Sequence, residues 1–182
     1  MIIAIDGNHK VGKSTIINNL KKYYADSKNV IFIKYPTLGD IGDFVKSRVS
    51  IENRDVLSLL FAADLTSCYQ KNIQIDSSKI YILDRYVLSL FTFQGGADRE
   101  NYQFLYNVTS KIHFPDVQIV IHKKEGGADV NDDPFVVTAK NLKMDNKLTR
   151  LYIVDNILGM DSHDLTGFNK VKRIIDSAIK NK

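Results

Sequence analysis

Gly7-Asn8-His9-Lys10-Val11-Gly12-Lys13-Ser14, followed by Thr15, is the stretch on which the fold turns. It satisfies the spacing G-x-x-x-x-G-K-S/T at every fixed position. An apolar run, Met1 to Ile5, comes before it. After it, from Ser14, apolar residues recur at helical intervals: Ile16, Ile17, Leu20 and Tyr24. A strand, a glycine-bearing loop and a helix therefore follow one another, which is the context the spacing requires. Gly7 and Gly12 allow consecutive backbone N–H groups to face one point. The positive end of the following helix adds to their pull on an anion. Lys13 is placed to reach the β and γ phosphates of a nucleoside triphosphate, and Ser14 offers a hydroxyl to Mg2+. All of Gly7 to Thr15 is expected to line the phosphate site.

Working outward, further apolar runs predict strands at Val30 to Ile33, Ile80 to Leu83, Val117 to Ile121 and Leu151 to Val154. Helices are predicted over Ile41 to Val49, from an N-cap at Asp55 to Gln70, around Val87 to Phe93, over Arg99 to Ile112, Phe135 to Asp145 and Leu165 to Ile179. Gly95-Gly96 is read as a helix break, and Glu125 to Pro134 as a loop. The 55–70 helix would present Leu57, Leu60, Phe61 and Leu65 on its apolar face. The strands are continuously apolar, as two covered faces demand, and they alternate with helices. The expectation is an α/β P-loop NTPase fold: three layers, α/β/α, around a central five-stranded parallel sheet. All 182 residues form one domain in this reading, with a short lid at about 123–135.

Composition excludes several classes. Net charge is +4, and the lysines are scattered apart from a small group at Lys170, Lys172, Arg173, Lys180 and Lys182. That group reads as a solvated helix face, so no nucleic acid partner is expected. No apolar run approaches the ~18 residues of a spanning helix, so no membrane partner is expected either. The single cysteine, Cys68, permits no internal disulfide and reads as a small, partly buried residue. No signal peptide is visible, and a cytoplasmic location follows as the expectation (the host cytoplasm, for a viral chain).

Ile80-Tyr81-Ile82-Leu83-Asp84-Arg85-Tyr86 places an acid and a guanidinium at the end of a buried strand. Asp84 could hold Mg2+ through water, and Arg85 could grip a second phosphate with its planar fork. Asp84-Arg85-Tyr86, then Ser89, then Phe93-Gln94-Gly95-Gly96 resembles the thymidylate kinase run D-R-Y/H-x-x-S-x-x-A-Y-Q-G. Leu59-Leu60-Phe61-Ala62-Ala63-Asp64 resembles that family's L-L-F-x-A-N/D-R segment. Pro115-Asp116-Val117 is similar to its P-D-L/V step into the next strand, and Lys34-Tyr35-Pro36 stands where an aromatic-proline pair is common. Order and spacing agree from Met1 to about His122.

The resemblance implies a nucleoside monophosphate kinase-like fold and transfer of the γ-phosphoryl of MgATP to thymidylate or a related pyrimidine deoxynucleotide. It implies ATP and Mg2+ as cofactors, small-molecule nucleotides as partners, and a homodimer. Phe61 would stack on the base. Arg85 would bind the acceptor phosphate, helped by Lys34. Ser89 and Gln94 would line the base and sugar pocket, and Tyr35 and Pro36 would shape its wall. Lys13, Lys10 and Arg85 are the catalytic candidates. Ser14 and Asp84 are the metal candidates.

The chain departs from the family at four places. Leu65 replaces the arginine that follows the A-D pair, and is expected to fill the pocket in a way that admits a 5-substituted deoxyuridylate. His9 and Lys10 stand where one branch carries aspartate and arginine. The lid is short; Lys123, Lys124 and Lys140 are present, but no arginine lies between Arg99 and Arg150. A second phosphate-clamping arginine near Thr37-Leu38-Gly39 is missing. Two rivals remain at this point. A deoxynucleoside kinase shares the G-N-x-x-x-G-K-S-T spacing of Gly7 to Thr15, but needs a carboxylate base where Lys34-Tyr35-Pro36 stands. A nucleotide-binding protein without transfer activity is the other, although the base-reading N-K-x-D motif of GTPases is absent.

Overall fold

The computed structural model describes residues 1–47, 53–73, 76, 78–96, 99–123, 129–156 and 166–181. Five parallel strands form one sheet in the order β2-β3-β1-β4-β5. They are β1 (Ile2–Gly7), β2 (Val30–Lys34), β3 (Ile80–Asp84), β4 (Val117–His122) and β5 (Arg150–Asp155). Every residue of β1 and β4 is buried, which is why their sequences carry no polar alternation. The edge strands β2 and β5 are only partly covered.

Seven α-helices join the strands among the described residues: α1 (Lys13–Tyr23), α2 (Asp40–Ser47), α3 (Arg54–Cys68), α4 (Val87–Leu90), α5 (Arg99–Val108), α6 (Pro134–Met144) and α7 (Thr166–Lys180). On one sheet face Ile16, Ile17 and Leu20 of α1 pack with Val171, Ile175 and Ala178 of α7 over Ile3, Ile5, Ile119 and Ile121. On the other, Ala62 and Leu65 of α3, Leu88 of α4, Leu105 of α5 and Val136 of α6 pack over Ala4, Leu83 and Val120. Each fully buried branched side chain contributes about 1.5–3 kcal/mol relative to exposure. The result is the three-layer α/β/α arrangement that the sequence predicts.

Several boundaries differ from expectation. The cap of α3 is Asn53, whose side chain accepts from Val56 N at 3.1 Å, while Asp55 sits in the first turn. That helix continues through a wider turn over Tyr69–Ile73. Helix α4 likewise runs on through a wide turn to Gly95, and the break falls at Gly96, at φ 61°. Helix α5 ends at Val108, short of Ile112. Helix α6 starts at Pro134, capped by the Asp133 side chain.

The strand order puts β1 at the centre; α1, leaving β1, covers one face, while α4 and α5, leaving the neighbouring β3, cover the other. Such a point opens a crevice at the carboxyl ends of the strands. Both motifs read from the sequence, after β1 and after β3, end there.

Candidate active site

The phosphate loop is shaped by backbone constraints at Gly7 and Gly12. Gly7 has φ 153°, and a side chain there would run into the carbonyl oxygen of Ile121 on the neighbouring strand. Gly12, at φ 82°, sits at the start of α1 and offers no side chain to cap its first N–H groups, which stay available to an anion. Lys10 adopts φ 60°, uncommon for a side-chain-bearing residue. The loop encloses a cavity of about 340 Å³ lined by Asn8, His9, Lys10, Val11, Gly12, Lys13, Ser14, Thr15 and Arg85. Its cations among the described residues are therefore Lys10, Lys13 and Arg85.

Asp84 Oδ1 lies 3.3 Å from Lys13 Nζ, with both side chains nearly buried. That oxygen makes no aligned hydrogen bond. A buried carboxylate oxygen left open beside the phosphate cavity, with the Ser14 hydroxyl on the cavity wall, is a donor set suited to a hard, oxygen-preferring divalent ion such as Mg2+.

One residue that sequence reasoning missed supports the loop from outside. Asn156, directly after β5 and buried, donates from Nδ2 to the Val11 carbonyl oxygen at 2.7 Å. Its own backbone N–H donates to His122 O at 2.7 Å. The available signal was its position alone, at the carboxyl end of a strand.

A second cavity, of about 540 Å³, opens beside the first. His9, Tyr35, Pro36, Lys46, Leu57, Phe61, Arg85, Ser89, Leu90, Phe93 and Gln94 line it. The Tyr35 hydroxyl donates to Phe61 O at 2.9 Å, tying the β2 loop to α3. Burial pushes that hydroxyl far above its ordinary pKa, so it remains a neutral donor. Asp64, buried, accepts from Thr37 N at 2.9 Å and from Thr37 Oγ1, fixing the same loop again. Phe93 meets Phe135 edge to face at 5.4 Å, and the Arg85 guanidinium lies 5.4 and 5.6 Å from these two ring centres. Arg85 leaves β3 at φ 70°, a strained backbone for a long side chain. Its Nη1 donates to Ser89 Oγ at 3.1 Å.

The structure thus brings Tyr35, Pro36, Phe61, Arg85, Ser89 and Gln94 around one cavity, and Asn8 to Thr15 with Arg85 around the other, while Gly7 and Asp84 line neither. Lys34 joins neither. It shares the parity of Phe32, which packs on the α1 face, whereas Ile33 and Tyr35 belong to the opposite core. Lys46 is the lysine lining the second cavity instead, beside Arg85, and its Nζ donates to Thr37 O at 2.9 Å and Asp43 Oδ1 at 3.0 Å. Leu65 does not fill the pocket. It is fully buried in the core beneath α3, and Leu57, Leu90 and Phe93 supply the apolar wall. The pocket-filling argument for a 5-substituted base falls with it.

Asp6, absent from the sequence reading, lies fully buried under the second cavity. It accepts from Ser89 Oγ, from Gln118 Nε2 at 3.0 Å and from Tyr86 N at 3.4 Å. Burial raises its pKa, opposed by the Ser89 and Gln118 hydrogen bonds and the Arg85 charge.

Beyond β4, His122 Nδ1 stands 2.7 Å from Asp133 Oδ2, both side chains buried, so the two ends of the intervening segment meet. Lys124 lies outside the described residues. Lys140 Nζ donates to Asn131 Oδ1 and does not line the phosphate cavity.

Comparison with known proteins agrees with this geometry. A family model described as thymidylate kinase matches residues 5–129. A putative thymidylate kinase of Treponema pallidum is 31% identical over 123 residues, covering 63% of this chain and 58% of that protein. A probable thymidylate kinase of Saccharolobus solfataricus is 31% identical over 122 residues, covering 66% and 64%. The match thus spans less than two thirds of the length of either relative. Among solved structures, thymidylate kinase from Ehrlichia chaffeensis superposes with a TM-score of 0.71 at 19% identity, over 96% of this chain and 98% of its own. That from Candida albicans gives 0.65 at 19% identity, over 100% and 93%. The fold is that of these kinases, and with the family match extending over more than half of its residues, the chain belongs to the thymidylate kinase family.

Proposed function

We propose that this protein transfers the γ-phosphoryl group of ATP to thymidylate, or to a closely related pyrimidine deoxynucleoside monophosphate, within a single domain. The observation that carries the reading is that Arg85 and His9 line both cavities. One guanidinium thus stands between a triphosphate site and an acceptor site, where two anions must be brought into line.

Phosphoryl transfer needs positioning and charge neutralisation. Lys13 and Lys10 would face the β and γ phosphates, and Arg85 would hold the acceptor's phosphate. An oxygen of that phosphate, already ionised at neutral pH, forms the new bond to the γ-phosphorus while the bridging bond to the β-phosphate breaks, releasing ADP. No proton has to be removed, so no general base is assigned. Ser14 and Asp84 would hold Mg2+, which when bound supplies charge neutralisation at the phosphates. Phe61 would stack on the base, and Gln94 would hydrogen-bond to base or sugar. The segment at about 123–135, of which residues 124–128 lie outside the described residues, would serve as a short lid. A homodimer is proposed on family grounds, with Leu59 of α3, 50% exposed, on a face open to a partner. Sedimentation at micromolar concentration tests it.

The deoxynucleoside kinase reading is disfavoured by the residues beside the acceptor cavity. Directly after β2 stand Tyr35 and Pro36, neither of them a carboxylate, and the nearby carboxylate of Asp64 is engaged by Thr37. The deciding experiment offers thymidylate and thymidine separately with ATP and follows ADP release. Turnover with thymidylate alone is expected. Turnover with thymidine alone, or with neither, would overturn the reading.

A further inference from the structure

We propose that Asp6 is a positioning residue that aims Arg85 at the acceptor's phosphate through the hydroxyl of Ser89, and so helps this site prefer a phosphorylated acceptor over a bare nucleoside. The inference rests on the reading above that Arg85 holds that phosphate.

Arg85 needs such support. It leaves β3 in a left-handed conformation, and its ring contacts with Phe93 and Phe135 lie beyond 5 Å. Attraction of that kind holds a guanidinium near a ring but leaves its rotation loosely fixed. The directional contact is the 3.1 Å bond from Nη1 to Ser89 Oγ. A serine hydroxyl has one proton and two lone pairs. Here the proton goes to Asp6 Oδ1, so the lone pairs are left for Arg85. Without Asp6 the hydroxyl could turn its proton elsewhere, the guanidinium included.

Asp6 is itself fixed. Its backbone lies in β1, and its carboxylate accepts from Gln118 Nε2 at 3.0 Å and Tyr86 N at 3.4 Å. Asp6, Ser89 and Gln118 are all buried, so water does not compete for these bonds. Ser89 is therefore committed to the relay, in place of the nucleobase contact that the family resemblance implies for it. Gln118 Oε1 has no hydrogen-bond partner. Asp6→Asn removes the charge and keeps an oxygen that can accept from Ser89, while Gln118 must give up its bonds to Ala4 O at 3.4 Å and Ile119 O at 3.3 Å to accept from the new amide.

The test measures calorimetric affinities for thymidylate, thymidine and ATP in wild type, D6N, S89A and D6N/S89A. Loss of one charge-assisted contact predicts about a tenfold weaker grip on thymidylate in each single variant. Thymidine affinity should fall far less than thymidylate affinity, and the double variant should be no worse than S89A. Equal loss of thymidylate and thymidine, or additive losses in the double variant, would overturn the relay. The Arg85 guanidinium signal, identified by its absence in R85K and followed by nitrogen-15 NMR without substrate, reads the same question independently. It should shift in D6N and S89A, and an unmoved signal overturns the inference. Failure of wild type to bind thymidylate would instead defeat the proposed function, leaving the NMR readout to judge the relay alone.

Discussion

The side-chain amide of Asn156 donates to the carbonyl oxygen of Val11 at 2.7 Å, so a residue beyond the fifth strand holds the crown of the phosphate loop. Truncation by N156A leaves that carbonyl without its donor, at a cost of about 1–3 kcal/mol. Melting should fall by roughly 2–12 °C for a chain of this size. KM for ATP should rise several-fold while KM for thymidylate holds. N156D, which replaces a donor with a negative oxygen facing a carbonyl, should do worse than alanine on both counts.

Lys13 is the cation nearest Asp84 and lines the phosphate cavity. K13A should lower turnover by about 10²–10³, the scale of removing one preorganised charge contact in a transition state. Circular dichroism should remain that of the wild type. Near-normal turnover would remove Lys13 from the mechanism.

Phe61 supports the second cavity in two separable ways. Its carbonyl oxygen receives the Tyr35 hydroxyl, and its ring lines the cavity. F61A keeps the first and deletes the second. Loss of a stacked base costs about 1–3 kcal/mol, so KM for thymidylate should rise roughly tenfold with KM for ATP unchanged. Equal effects on both nucleotides would show the ring to be core packing alone.

Asp6 has a pKa raised by burial. A carboxyl whose pKa is higher folded than unfolded favours folding while protonated. Below the ordinary aspartate value of about 3.9 that contribution is fully present, and it disappears as pH climbs through the raised value. At pH values above the raised one, the ionised carboxylate therefore burdens the fold. D6N should melt higher than wild type near pH 7, with the difference shrinking as pH falls towards 4. A difference that is flat with pH, or that grows in acid, contradicts the burial argument.

The strand, loop and helix from Ile2 to Tyr23 were legible because their signal is local: an apolar run, two obligatory glycines and a helical period lie next to one another. Pairs that meet only through tertiary packing were not. Asp6 meets Ser89 and Gln118, and Asn156 meets Val11, across separations of 83, 112 and 145 residues. Lys34 was misassigned because a strand sends neighbouring side chains to opposite faces, and motif alignment ignores that parity. Leu65 was misassigned for a related reason. Residues four apart on a helix are rotated by about 40°, enough to leave Phe61 at the cavity and put Leu65 in the core. The wide turns at Tyr69–Ile73 and Phe91–Gly95 have no compositional mark that separates them from ordinary helix.

The contact between His122 and Asp133 has an evolutionary reading. It works like the clasp of a bracelet, with the chain between the two residues free to change in length while its anchorage on the sheet and on α6 is kept. Closing a longer loop costs little, about 0.6 kcal/mol for each doubling. Segments of other lengths could therefore be grafted between these two positions at small entropic cost.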